Sequence, residues 1–248
     1  MQNIYDNNKF YNSYLKLREN NAGLNEVLEI PAFRSLLPDL DNKTILDLGC
    51  GYGENCKWYI NKGAKKVIGI DISKNMIEKA KKEYSDDKIE YKNVPMEELD
   101  FSKNIFDIVL SSLSFHYVKD FNSLIEKINK MLKPNGSLVF SQEHPIATAK
   151  KKKNGWFINN QGEKSHWIMD NYHYEGKREQ EWFIDGVIKY HRTIATILNT
   201  LIKHGFNILK VLEPIALETA EKNNAQLKEE RRRPPFIIIK VKSTKCIN

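Results

Sequence analysis

The sequence predicts an α/β chain built on a doubly wound, mostly parallel sheet. Three observations carry this. A short apolar run, Thr44-Ile45-Leu46-Asp47-Leu48, enters a turn with glycines at 49, 51 and 53. A second run, Val67-Ile68-Gly69-Ile70, closes on Asp71, 24 residues beyond Asp47 (71 − 47). Strand-length apolar runs then alternate with helix-period stripes, the rhythm that sets parallel strands side by side under helices.

The elements follow in order. Residues 1–40 read as a helical cap: Phe10, Tyr14 and Leu17 share a face, Leu24, Val27 and Leu28 repeat at i, i+3, i+4, and Pro31 opens a further short helix. Strand one covers 44–48 and strand two 67–71. Ser73 caps the helix that carries Met76, Ile77 and Ala80. A third strand is expected at 88–91 and a fourth at 106–110. The next helix places Phe121, Leu124, Ile125, Ile128, Met131 and Leu132 on one stripe. It stops at Lys133-Pro134-Asn135-Gly136, where proline and glycine both oppose continuation. A fifth strand follows at 137–141. Residues 145–190 break the rhythm with aromatic and polar residues, among them Trp156, Trp167, Tyr172, Tyr174 and Trp182. This stretch reads as an insertion after strand five, a lid forming the substrate side. Regular structure resumes at 190–193. A helix bearing Ile194, Ile197, Leu198, Leu201 and Ile202 ends at Gly205, and strands at 206–212 and 236–241 close the chain. The polar stretch 218–233 reads as an exposed helix and loop.

Composition fits one domain over 1–248. With 41% hydrophobic and 29% charged residues the chain is globular. No apolar run approaches the roughly 18 residues that span a bilayer, and Met1-Gln2-Asn3-Ile4-Tyr5-Asp6 lacks the regions of a signal peptide. Cys50, Cys56 and Cys246 are odd in number and unclustered, which argues for free thiols, a reducing cytoplasm and no metal site. The net charge of +7 comes from scattered lysines, and the runs 150–153 and 231–233 read as solvated. A nucleic-acid binder would interleave a basic stripe with aromatics.

The glycine turn carries the chemistry. Glycines admit positive φ and close approach of backbone to a ligand. The helix N-terminus offers free N–H groups, and a carboxylate ending the second strand can accept both ribose hydroxyls. The site therefore suits an adenine nucleoside. A dinucleotide fingerprint, G-x-G-x-x-G, needs glycine at 54, where this chain has Glu54, a group that repels phosphate. A nicotinamide dehydrogenase fails on that residue. The pattern D-x-G-x-G-x-G suits a ligand with an amino-acid tail, whose ammonium prefers a nearby carboxylate.

ILDLGCGYG followed by IGIDIS resembles the S-adenosylmethionine site of class I methyltransferases. FDIVLSSLSFHYVKD, LKPNGSLVFSQEHP, KYHRTIATILNTLIKHGF and RRPPFIIIKVK extend the resemblance to small-molecule methyltransferases of the ubiquinone/menaquinone-biosynthesis type. More narrowly, they resemble a bacterial subgroup with EHP after strand five and HRT before the later helix. The resemblance implies a Rossmann-like methyltransferase fold of seven strands, with the last antiparallel and inserted between the fifth and sixth. It implies S-adenosylmethionine as cofactor, S-adenosylhomocysteine as product, and no metal. It assigns Gly49, Cys50 and Gly51 to the methionine portion with Asp47 beneath, Asp71 to the ribose, and Ile72 and Met76 to the adenine faces. The family often has aspartate where this chain has Pro95, so adenine recognition shifts to the Met96 backbone or to Glu97. Ser112 and Leu113 pass close to the methionine part. Tyr11 and Arg18 close over the cofactor from the N-terminal helix, and Arg18 pairs with its carboxylate.

Methyl transfer from a sulfonium is an in-line displacement, so the protein's main task is to hold the nucleophile near 3 Å from the methyl carbon. A base is needed only where the nucleophile must lose a proton. His116, Glu143, His144 and His191 are the candidates, with His116 and His144 favoured for proton handling or substrate orientation; the structural readings beside these are His116 as a histidine bonded to a backbone carbonyl, His144 as a turn-former before Pro145, and Glu143 as a group that orients a neighbour. An amino-methylating nucleic-acid enzyme would carry an Asn/Asp-Pro-Pro-aromatic tetrad where this chain has Ser111-Ser112-Leu113-Ser114-Phe115. A carbon-5 cytosine methylase needs a nucleophilic cysteine near strand four or later, where only Cys246 stands. The reading is a cytoplasmic, monomeric or dimeric methyltransferase acting on an O, N or C atom of a small molecule, not inserted in a membrane. The alternatives are a tRNA or rRNA methyltransferase, or a non-catalytic cofactor-binding protein of the same fold.

Overall fold

A computed structural model describes residues 2–19, 23–151, 155–216, 220–221 and 225–246. Parts of the lysine run at 150–153 and of the polar stretch at 218–233 lie outside these residues.

Eleven strands form among the described residues, and seven of them make one sheet. The core strands are β1 (Thr44–Leu48), β2 (Lys66–Asp71), β3 (Ile89–Asn93), β4 (Phe106–Ser111) and β5 (Leu132–Glu143), with β10 (Phe206–Leu212) and β11 (Phe236–Ser243). Their order is β10-β11-β5-β4-β1-β2-β3. The pairs from β3 through β5 are parallel, and β11 runs antiparallel between β5 and β10. Ile45, Leu46 and Leu48 are each fully buried, as strands covered on both faces require. The expected insertion of the last strand between the fifth and sixth is what the sheet shows.

Side-chain caps start the helices where the sequence places them. Ser73 accepts the Met76 N–H ahead of α4 (Lys74–Glu83), Asp120 accepts the Ser123 N–H ahead of α5 (Phe121–Met131), and Thr193 accepts the Thr196 N–H ahead of α7 (Ile194–Lys203). Each cap satisfies an N–H that has no intrahelical partner. One boundary differs. The fifth strand begins at Leu132, not 137, because the Pro134-Asn135-Gly136 segment stays in the strand as an irregularity. Phe106 pairs with Leu132 and Ile108 with Ser137, so the extra residues bulge out of register, with Asn135 at φ 60°.

Residues 145–190 hold more regular structure than the sequence suggested. After a single turn (Pro145–Thr148) come two hairpins, β6 (Trp156–Ile158) with β7 (Lys164–Trp167) and β8 (Gly176–Trp182) with β9 (Ile184–His191). Regular structure thus resumes at Trp156, well ahead of the expected 190. The second hairpin packs on a partner distant in sequence. That partner is α1 (Asn8–Glu19), whose Phe10 meets Trp182 and Phe183 edge-on at 5.2 and 5.5 Å. A π-helical turn (Asn25–Glu29) then leads into α2 (Ile30–Leu36), with Pro31 in its first turn as expected. Asp6 ties the N-terminal segment to the start of α4 by accepting from Ser73 Oγ at 2.5 Å and from the Asn75 N–H at 3.1 Å.

Candidate active site

A cavity of about 670 Å³ opens at the carboxyl ends of the parallel strands, where open α/β sheets bind ligands. Strand order sorts its lining. β1, β2 and the segment after β3 supply Gly49, Asp71 and Met96, while β5 and the approach to β11 supply Glu143, Arg233 and Phe236. The turn after β4, with Ser112, Leu113 and His116, sits between the two halves.

In the first half the glycine turn is braced by its own hydrogen bonds. The Gly49 and Cys50 N–H groups both donate to the Ile70 carbonyl at 2.9 Å. The Gly51 N–H donates to Asp71 Oδ2 at 2.9 Å, and Asp71 Oδ1 accepts the Ser73 N–H at 2.8 Å. The turn therefore offers a ligand its carbonyl oxygens, the partners an ammonium prefers. Gly51 holds φ 55°, and a Cβ placed on it would meet nothing within 4 Å. Bare backbone faces open space there, a cradle that a ligand can enter. Gly53 differs: its Cβ would fall 2.4 Å from Tyr91 Oη and its φ is 88°, so packing and backbone conformation explain that glycine without a ligand. Burial raises the Asp71 carboxyl to about 6 against the backbone N–H groups of Ser73 and Gly51, which lower it. Burial likewise raises Asp47, beneath the turn, to about 7 while the Cys56 thiol donates to it.

Ile72, Met76, Met96, Ser112 and Leu113 also line this half. Leu113 sits at φ 50°, a left-handed conformation rare for a branched side chain, fixed by its N–H donating to Ser141 Oγ at 2.9 Å. Arg18 reaches the cavity, ion-paired with Glu26 at 2.6 Å and Glu54 at 3.2 Å. Two of the expected residues lie outside the lining. Tyr11 lies outside the cavity, its hydroxyl donating to the Asn75 carbonyl at 3.5 Å. Tyr14, three residues on, takes its place in the lining. The stripe through Phe10, Tyr14 and Leu17 already pointed to Tyr14. The Glu97 side chain is also absent from the lining and leaves Oε2 buried without a partner.

The four proton-handling candidates separate sharply. His144 and His191 do not line the cavity. His144 accepts the Ile146 N–H at Nδ1 (3.1 Å), capping the turn after β5, and its Nε2 donates to Glu213 at 2.9 Å. His191 accepts from the Thr148 hydroxyl at Nδ1 and donates from Nε2 to the Tyr172 carbonyl, both at 2.8 Å. Both nitrogens of each ring are engaged within the protein, which leaves neither ring a nitrogen to offer the cavity, against the expectation for His144. His116 and Glu143 do face the cavity. The Glu143 N–H donates to His116 Nδ1 at 3.4 Å, which leaves the proton of the neutral ring on Nε2. Burial pushes the His116 pKa down to about 4, outweighing the opposing pull of Glu143. Burial raises Glu143, yet Lys189, 2.5 Å from its Oε1, and His116 hold it below the usual carboxylate range.

The aromatic wall beside them joins two tryptophans of the expected insertion to two tyrosines that sequence pattern did not single out. Tyr5 and Tyr117 pack edge-on at 6.2 Å, and both line the cavity with Trp167 and Trp182. Of the insertion's other aromatics, Tyr172 accepts the Ile194 N–H at its hydroxyl and Tyr174 is 70% exposed. The arginine run is pinned instead of free. Arg231 bonds Glu221, Arg232 lies over Trp156 at 4.6 Å, and Arg233 over Trp167 at 4.4 Å.

Comparison with known proteins gives the family. A family model described as "Methyltransferase domain" matches residues 46–140. A Haemophilus influenzae protein described only as uncharacterized is 39% identical over 96% of both chains. The crystal structure of an S-adenosylmethionine-dependent methyltransferase from Mesorhizobium loti is 36% identical, covers 90% of this chain and 99% of its own, and superposes with a TM-score of 0.82. The chain belongs to the S-adenosylmethionine-dependent methyltransferases. A malonyl-[acyl-carrier protein] O-methyltransferase from Priestia megaterium is 29% identical over 65% of this methyltransferase and 63% of its own length. No helix of the methyltransferase, among its described residues, is long and apolar enough to cross a membrane.

Proposed function

We propose that the methyltransferase acts on an O, N or C atom of a small molecule held between the glycine turn and the aromatic wall. The observation that carries this is the continuity of one cavity from Asp71 to Glu143 and Trp182. Its volume of about 670 Å³ falls within the range that encloses small ligands. In this reading Asp71 accepts the ribose hydroxyls, the carbonyls of the turn take the ammonium, and Met76 and Met96 cover the adenine. S-adenosylmethionine, when bound, supplies a methyl group on a cationic sulfur.

The chain's own part is orientation. Neutral His116 donates from Nε2 and so holds an acceptor lone pair in place. Its Nδ1 is occupied, so it fixes the nucleophile and takes no proton from it. Ionised Glu143 accepts a hydrogen bond from the nucleophile's X–H and receives that proton as the new bond forms. Trp182 and Tyr14, from the insertion and the N-terminal helix, exclude water, and in this reading those two segments act together as the lid. A cavity of this volume with an aromatic wall favours a metabolite over RNA.

The test is equilibrium binding. S-adenosylhomocysteine is expected to bind the full chain in the micromolar range with no dependence on added RNA. RNA binding that tightens steeply as salt is lowered and competes with small acceptors would overturn the small-molecule reading.

A further inference from the structure

The acceptor half of the cavity contains a largely buried cation whose hydrogen-bonding capacity is not filled. Arg233 is 14% exposed at its side chain, lies 4.4 Å over the Trp167 ring, and its buried Nε has no hydrogen-bond partner. Its NH2 group is 3.1 Å from Glu230 Oε2, yet that oxygen also lacks a hydrogen bond. The two charges touch without the alignment that a hydrogen bond needs. Other buried cations are already satisfied: Lys189 by Glu143, Arg178 by the Ala149 and Tyr174 carbonyls, Arg192 by the Val118 and Lys119 carbonyls. Arg34 shares an unpartnered Nε but does not line the cavity.

Position assigns Arg233 to the acceptor and not to the methyl donor. The Pro235 carbonyl accepts the His144 N–H at 2.8 Å, which fixes the segment at the end of β5. From β1 to β11 there are three interstrand steps (β4, β5, β11), about 14 Å. Arg18 stands on the other side, beside the glycine turn, with two carboxylates of its own.

We propose that Arg233, stacked on Trp167, binds a carboxylate of the methyl acceptor, which is therefore a small monocarboxylic acid with an apolar body. A guanidinium presents paired N–H donors that match a carboxylate, and stacking on an indole fixes the plane of that fork. Glu230 selects against a dianion: Arg233 already shares its charge with Glu230, so a carboxylate brings one negative charge beside that carboxyl and a phosphate would bring two. The aromatic wall of Tyr5, Tyr117 and Trp182 receives the apolar body. The proposal rests on the small-molecule reading above and names its substrate class.

The test uses the full chain saturated with S-adenosylhomocysteine and titration calorimetry with benzoate, trans-cinnamate and indole-3-acetate, their amides, and phenyl phosphate. At least one acid is expected to bind tenfold or more tightly than its amide and than phenyl phosphate. Arg233→Gln should erase that advantage and leave S-adenosylhomocysteine affinity unchanged, Arg233→Lys should restore part of it, and Glu230→Gln should tighten acid binding. Trp167→Leu should weaken the acid severalfold, a second variant independent of the arginine. Acids that bind no better than their amides, or equally well to Arg233→Gln, overturn the proposal. So does a loss of S-adenosylhomocysteine affinity in Arg233→Gln, which would move the arginine into the donor half. Failure of S-adenosylhomocysteine to bind the wild type would instead overturn the cofactor reading, and this proposal with it.

Discussion

Asp71 accepts the Gly51 N–H at 2.9 Å, so the acid that closes the second strand also sets the shape of the turn after the first. One carboxylate links both halves of the nucleoside site. Asp71→Ala removes two charge-assisted contacts to the ribose, each worth roughly 1.5–3 kcal/mol before compensation, together with this brace. S-adenosylhomocysteine affinity is expected to fall at least about tenfold with the far-UV circular dichroism unchanged. Unchanged affinity by calorimetry would remove Asp71 from the site.

The same carboxylate makes binding pH-dependent. Its pKa is raised to about 6 in the ligand-free protein, so it is ionised above that value and protonated below it. Cofactor affinity is expected to fall as pH drops through 6, approaching tenfold per unit, and Asp71→Asn should flatten the profile. Stability moves the other way. The folded state holds this proton more tightly than the unfolded chain, so the cost of burying the charge is fully present above pH 6 and is relieved below it. A flat affinity profile between pH 5 and 8 would count against an ionised ribose ligand.

Two glycines of one turn should respond differently to alanine. Gly51→Ala puts a methyl into open space at φ 55°, costing about 1 kcal/mol of backbone strain. The variant is expected to fold, melt a few degrees lower, and lose cofactor affinity at least about tenfold because the methyl occupies the cradle. Gly53→Ala drives a Cβ to 2.4 Å from Tyr91 Oη and should cost more in stability. Equal cofactor loss with equal melting shifts would show that the cradle is not where the ligand lies.

His116 and His144 flank the same pair of strands yet predict separate phenotypes. His116→Ala should slow methylation with S-adenosylhomocysteine affinity unchanged. With its pKa near 4, His116 should contribute no rate inflection around pH 6.5. His144→Ala removes a cap and the hydrogen bond to Glu213, about 1 kcal/mol, read as a melting shift of about 2–4 °C with activity retained. A slowed His144 variant of normal stability would reverse the assignment.

Lys189 is 5% exposed at its side chain and pairs with Glu143, 24% exposed, at 2.5 Å. Lys189→Met leaves the acid with its strongest counter-charge gone, and the loss is expected to be on the order of 3 kcal/mol. It should be largely recovered by adding Glu143→Gln. Urea denaturation of the two variants checks the sign. No recovery in the double variant would show that the pair is not coupled.

The sequence by itself determined the parallel sheet and the nucleoside half of the site. Those signals are local: the apolar runs, the glycines at 49, 51 and 53 and the acid at 71 act through spacing along the chain, and Ser73 caps a helix three residues away. Tertiary structure alone decided which candidates face the reaction. His191 is turned away by Thr148, 43 residues earlier, and Ser141 fixes Leu113 across 28 residues. Arg233, one of three consecutive arginines, finds Trp167 through a hairpin that no periodicity announced. A side chain's destination depends on partners brought near by strand order and by the docking of α1 on the second hairpin. Hydrophobic patterning specifies which face of an element is buried, and it does not specify what the polar residues at the element's end will meet.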